Sequence, residues 1–135
     1  VSCATVNPTL LEVNLGDLGV EVNLVARQGA DADRIVIRLI DTAGNVLNVA
    51  GATVTAEIRK SLDEVTAAGA FTVTVDDTEI RLDLTADTLA DLDPGAHARD
   101  PAGLHVWDCK AVFADTTKRW LAWGELRVLK PVTRP

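Results

Sequence analysis

The chain is short of the side chains that catalysis and metal binding draw on. In 135 residues it has two histidines, His97 and His105, and no tyrosine. A nucleophile works when a base activates it and a third group orients that base. Here both histidines flank one loop beside Arg99 and Asp100, and their spacing follows no zinc pattern. The carboxylate pairs Asp31/Asp33 and Asp76/Asp77 lack the loop spacing of a calcium hand and read as turn residues. No catalytic residue, metal or cofactor is assigned, and a non-enzyme is expected.

Two cysteines, Cys3 and Cys109, permit one disulfide without requiring it. Nothing in the sequence marks an oxidising compartment, so Cys109 is expected to be reduced and packed as a small hydrophobe. No apolar run approaches the ~18 residues of a membrane span, and no membrane partner is expected. The opening VSCATVNPTLLEV has no basic stretch followed by an apolar core, so a secretory signal is expected to be absent or already removed. Thirteen Lys and Arg stand against twenty Asp and Glu, a net charge of −7. That balance opposes a phosphate backbone, and nucleic acid is not an expected partner.

What is present is alternation. The composition is 47% hydrophobic and 24% charged, which suits one folded domain of ordinary size. From His105 to Leu129 the chain reads as a closing antiparallel hairpin with a turn at Asp115–Arg119. Side chains on a strand alternate between faces, so Trp107, Cys109, Ala111 and Phe113 share the core face of its first strand. On the second, the alternation puts Trp120, Ala122, Gly124, Leu126 and Val128 inward. Leu121, Trp123, Glu125 and Arg127 then point outward. Core anchors are therefore Trp107, Cys109, Phe113 and Trp120.

Earlier stretches alternate in the same way: Leu10–Asn14, Val20–Ala26, Val54–Lys60, Phe71–Val75 and Ile80–Leu84. Arg34–Asp41 is almost wholly apolar or β-branched, as a central strand is. Thr85 is placed to cap a short helix over Ala86–Asp91, with Leu89 and Leu92 as its buried side. Seven or eight short strands with one short helix predict an all-β, immunoglobulin-like sandwich of antiparallel strands. The helix would lie between the E-like and F-like strands. Asp93, Gly95, Trp107 and Cys109 resemble the E–F corner and F strand of immunoglobulin domains, with Trp in place of the corner Tyr. The expected organisation is an arm over 1–9, a sandwich over 10–129 and a tail over 130–135.

Trp123 and Leu121 would form an apolar spot on an acidic surface, suited to a protein interface or to stacking on sugar. Lys130 and Arg134 would make the tail a basic strip able to dock on an acidic neighbour.

A wider resemblance rests on three groups of residues. Gly51, Val54, Ala56, Ile58 and Arg59 form a G-x-x-V-x-A-x-I-R strand. Leu84, Thr85, Thr88, Leu92 and Gly95 lead to Trp107-Asp108. Gly124, Val128, Pro131, Thr133 and Arg134 close the chain. This pattern resembles small β-sandwich modules of tailed bacteriophages. Such modules include the long-tail-fibre-associated module of actinobacteriophage virions and the N-terminal domain of baseplate upper proteins. The loop Ala96–His105 is longer than in that family. The resemblance implies a non-enzymatic structural protein of the virion, assembled in the host cytoplasm. It would be a minor tail, baseplate or fibre-associated component that docks on other virion proteins or on copies of itself. Alternatives are a carbohydrate-binding host-adhesion module using Trp123, and a capsid decoration protein.

Overall fold

Runs that alternate apolar with polar residues become strands because each can bury one face and wet the other. The computed structural model describes residues 9–14, 19–32, 34–97 and 99–131, and ten strands lie within them. In chain order these are β1 (Thr9–Asn14), β2 (Val20–Glu21), β3 (Leu24–Arg27), β4 (Ile35–Ile40) and β5 (Thr53–Arg59). There follow β6 (Gly69–Ala70), β7 (Thr72–Val75), β8 (Ile80–Asp83), β9 (Leu104–Val112) and β10 (Lys118–Leu129). One sheet has the order β1-β4-β8-β7 and the other β2-β10-β9-β5-β6, with β3 also pairing β10. These orders correspond to the A-B-E-D and G-F-C sheets of an immunoglobulin-like sandwich. The expected fold class holds.

The strand directions differ from the expectation of a wholly antiparallel sandwich. β1 pairs β4 in parallel, as β2 and β3 pair β10. A parallel pair needs a long crossover between its strands. The chain makes one by leaving β1, running along the edge of the opposite sheet as β2 and β3, and returning as β4. The strand expected over Val20–Ala26 is split, because the carbonyl of Val22 accepts from the Trp107 indole at 2.9 Å. Asn23 Oδ1 takes the backbone N–H of Glu125 at 3.0 Å.

Phe71 marks another crossing, between β6 in one sheet and β7 in the other. Its ring packs on Trp107 with centroids 5.3 Å apart and planes inclined by 53°. Ile37, Ile58, Ile80, Leu82 and Leu126 fill the space around them, fully buried. Each such side chain contributes roughly 1.5–3 kcal/mol on leaving water.

The helix α1 (Ala86–Ala90) starts at Thr85, whose hydroxyl accepts from the Thr88 N–H at 3.3 Å. Leu89 and Leu92 are buried as expected. Gln28 Nε2 donates to the Leu89 and Leu92 carbonyls at 2.8 and 3.0 Å, satisfying the end of the helix.

The first residue of the expected tail is tied to the sandwich. Lys130 is exposed, yet its N–H donates to Gly95 at 3.1 Å and its carbonyl accepts from Arg27 at 2.9 Å. Arg134 and Cys3 lie outside the described residues.

Candidate functional site

The face that stands out is the outer side of β2, β10, β9 and β5. It is built around an irregularity in β10. From Lys118 to Trp120 that strand pairs β9 in one register, with Trp120 opposite Lys110; from Ala122 onward the register shifts, with Ala122 opposite Cys109. Leu121 is the extra residue of a β-bulge. A bulge leaves two residues of one strand facing one of its partner, which reverses the phase of the alternation.

Two assignments are corrected by that reversal. Trp120, expected as a core anchor, is 52% exposed because it faces the same way as the outward Lys110. Leu121, expected at an outer interface, is fully buried because the bulge turns it inward. Beyond the bulge the expected faces hold, with Leu126 and Val128 buried and Trp123 44% exposed. Trp107 and Cys109 are buried, and Phe113 is partly buried against the core. The face thus carries two tryptophans, and Trp120 takes the place expected for Leu121 beside Trp123.

The rows across the sheet set the electrostatics. Glu21 on β2, Trp123 on β10, Asp108 on β9 and Glu57 on β5 lie in one row. The next row holds Glu125, Val106 and Arg59, and the row on the other side holds Trp120, Lys110 and Thr55. Arg59 donates to Glu57 at 2.8 Å and stands 3.6 Å from Asp108. Burial pushes the Asp108 carboxyl above its usual range and the charge of Glu57 adds to this, while Arg59 and Lys110 oppose it. The Lys110 ammonium sits 5.5 Å from the centre of the Trp120 ring. Between the two tryptophans, Glu21, Asp108 and Glu125 runs an open groove of about 660 Å³, with Leu62 at its rim. Such a surface can stack flat or cationic groups on indole and accept hydrogen bonds on carboxylates.

The remaining sequence candidates have structural employment. His105 is buried, with Nδ1 3.0 Å from the Gly103 carbonyl, and burial lowers its pKa. His97 is exposed. Asp31 accepts the Ala86 N–H at 2.7 Å and so caps the helix; Asp33 lies outside the described residues. Asp76 pairs with Arg81, and the Asp77 carbonyl accepts from Val49. Among the described residues no group of three or more His, Cys, Asp or Glu side chains is placed to hold a metal ion.

Trp120 is the surface residue that alternation missed. Trp120-Leu121-Ala122-Trp123 is four apolar residues in a row, where either phase fits. The one available signal is the spacing of three between two tryptophans, which puts both on one face only if the strand bulges.

No family model matches the chain, and no curated protein matches it. Among solved structures it is similar to the M1 domain from titin, at 13% identity and a TM-score of 0.39, over 86% of this chain and 95% of that one.

Proposed function

We propose that the chain is a non-enzymatic structural module of a tailed phage particle, which docks on a neighbouring virion protein through the outer face of β10 and β9. The phage assignment rests on the resemblance carried by Gly51–Arg59, Leu84–Gly95, Trp107-Asp108 and the closing strand. The docking assignment rests on one observation: Trp120 and Trp123 both stand outward, about half-exposed, on a sheet face whose other side chains are mostly charged. Large aromatic side chains left in water on such a face are typical anchors of protein interfaces. Leu62, 85% exposed at the groove rim, extends the apolar area.

The test is complementation of a phage lacking this gene, followed by probing purified particles for the protein. Trp123→Asp is expected to leave the domain folded and to prevent its incorporation. Normal incorporation would move docking to the opposite sheet or to the loop over 96–104.

A second reading is supported by the groove itself, in which indole rings stand beside the carboxylates of Glu21, Asp108 and Glu125. Stacking surface with adjacent hydrogen-bond acceptors suits a carbohydrate, and the module would then serve host adhesion. Glycan binding that disappears in Trp123→Ala, with normal incorporation into particles, selects this reading.

A further inference from the structure

Trp123 occupies the middle of a row of acids. Glu21 is its neighbour on β2 and Asp108 its neighbour on β9, with Glu57 beyond. Asp108 is opposite Trp123 on an antiparallel strand, where Cβ atoms are about 4.5–5.5 Å apart, and Glu21 is its partner on a parallel strand about 4.8 Å away, so two carboxylates flank one half-exposed indole. Like charges placed opposite each other destabilise a sheet, and Asp108 faces Glu57. Arg59 bridges that pair at 3.6 and 2.8 Å, on the side of Asp108 away from Trp123. Over the three rows, the carboxylates of Glu21, Glu57, Asp108 and Glu125 outnumber the cations Arg59 and Lys110, four to two. Lys110 is the one cation placed over an indole among the described residues, and that indole is Trp120.

We propose that this face seats a cationic side chain from an extended basic segment of a partner protein, held over Trp123 between Glu21 and Asp108. The proposal rests on the docking reading above and names the chemistry of the partner. A guanidinium or ammonium over an indole face is attracted by the ring, more strongly as water is excluded. The flanking carboxylates supply charge-assisted hydrogen bonds. Spacing supports an extended segment. The bulge sets Trp120 and Trp123 opposite Lys110 and Asp108, two residues apart on β9, which is about 7 Å along a strand. An extended peptide repeats its side chains on one face at the same interval of about 7 Å. Residues i and i+2 of a segment laid along β10 therefore meet both indoles. The net charge of −7 favours the approach of such a segment from solution.

The full chain is titrated with a short capped peptide of alternating arginine and threonine, and with its counterpart carrying neutral citrulline for arginine. Binding is followed by tryptophan fluorescence and calorimetry. The arginine peptide is expected to bind about tenfold or more tightly than the citrulline peptide, a ratio that one desolvated cation contact supplies. That preference is expected to vanish in Glu21→Gln/Asp108→Asn, with circular dichroism reporting an intact fold. Should the double variant unfold, Trp123→Ser, altered at an outward position, carries the same comparison. Equal binding of the two peptides overturns the proposal. So does saturation of the same fluorescence change by chitohexaose without any by the arginine peptide. Self-association of the chain through this face, seen by sedimentation and abolished by Trp123→Ser, also overturns it. No arginine preference together with failed incorporation of Trp123→Asp removes the cationic partner and leaves virion docking standing. Arginine preference with normal incorporation does the reverse.

Discussion

The indole N–H of Trp107 donates to the carbonyl of Val22 across 2.9 Å, joining positions 85 residues apart. This bond ties the first edge strands to the centre of the sheet, and Gly124 makes room for it. Gly124 is the residue opposite Trp107, and a Cβ there would overlap the Val22 carbonyl and crowd Asn23. Gly124→Ala is therefore expected to force the edge strand away and to cost ~1–3 kcal/mol, as overpacking does. Urea denaturation measures it. A neutral result would mean that β2 and β3 are not seated over Gly124.

Trp107 itself is expected to be worth more. Trp107→Ala empties the site against Phe71 and should cost about 3–5 kcal/mol. Trp107→Phe keeps most of the packing but leaves the Val22 carbonyl without its donor, which should cost ~1–3 kcal/mol. If Trp107→Phe were as stable as the parent, the indole N–H bond would be contributing nothing.

The bulge makes a prediction that a regular strand would reverse. Leu121→Ala is expected to cost about 2–5 kcal/mol because Leu121 is fully buried. Trp120→Ala, at a half-exposed position, should change stability by less than about 1 kcal/mol. The opposite ranking would place Trp120 in the core and eliminate the register shift.

Burial pushes the Cys109 thiol up to about 12, and the thiolate is the reactive form. In a Cys3→Ser background Cys109 is the one remaining thiol. It is expected to resist a disulfide reagent at pH 8 and to react once denaturant is added. Rapid labelling of the folded chain would contradict its burial in the sandwich.

His105 supplies the pH dependence near neutrality. Burial lowers its folded pKa below the unfolded value, so the unfolded chain takes up the proton first as pH falls. Its contribution to stability is complete above about pH 6.5 and declines below it, levelling off beneath the folded pKa. The slope cannot exceed about 1.4 kcal/mol per pH unit, the limit for one proton. Hydrogen bonds from backbone N–H groups lower the pKa values of Asp41, Asp100 and Asp115, and these add their own loss at more acidic pH. Urea midpoints between pH 7.5 and 5.5 should fall in the parent and stay level in His105→Gln. A parallel fall in both would assign the effect to other groups.

Much of this architecture is written locally. Alternation places Val54, Ala56 and Ile58 inward on β5, and Ile80, Leu82 and Leu84 inward along and just beyond β8, because a half-buried strand has only two faces to distribute. Thr85 announces the helix because a hydroxyl before an apolar pair satisfies a backbone N–H that nothing else nearby can reach. Both signals act over a few residues and need no knowledge of the rest of the chain.

The candidate site belongs to the other kind. Trp120 and Trp123 share a face only because Leu121 is squeezed out of register against β9, and the row Glu21-Trp123-Asp108-Glu57 joins the β9–β10 hairpin to β2 and β5, which lie far from it in sequence. Within Trp120-Leu121-Ala122-Trp123 each residue is apolar enough for either side, so the local pattern is degenerate. The choice falls to packing between the sheets, where the fully buried Leu121 fills core space and both indoles stand outward. Local periodicity determined that this chain makes strands and which faces most of them bury. Tertiary packing decided where that periodicity slips, and the slip is what assembles the site.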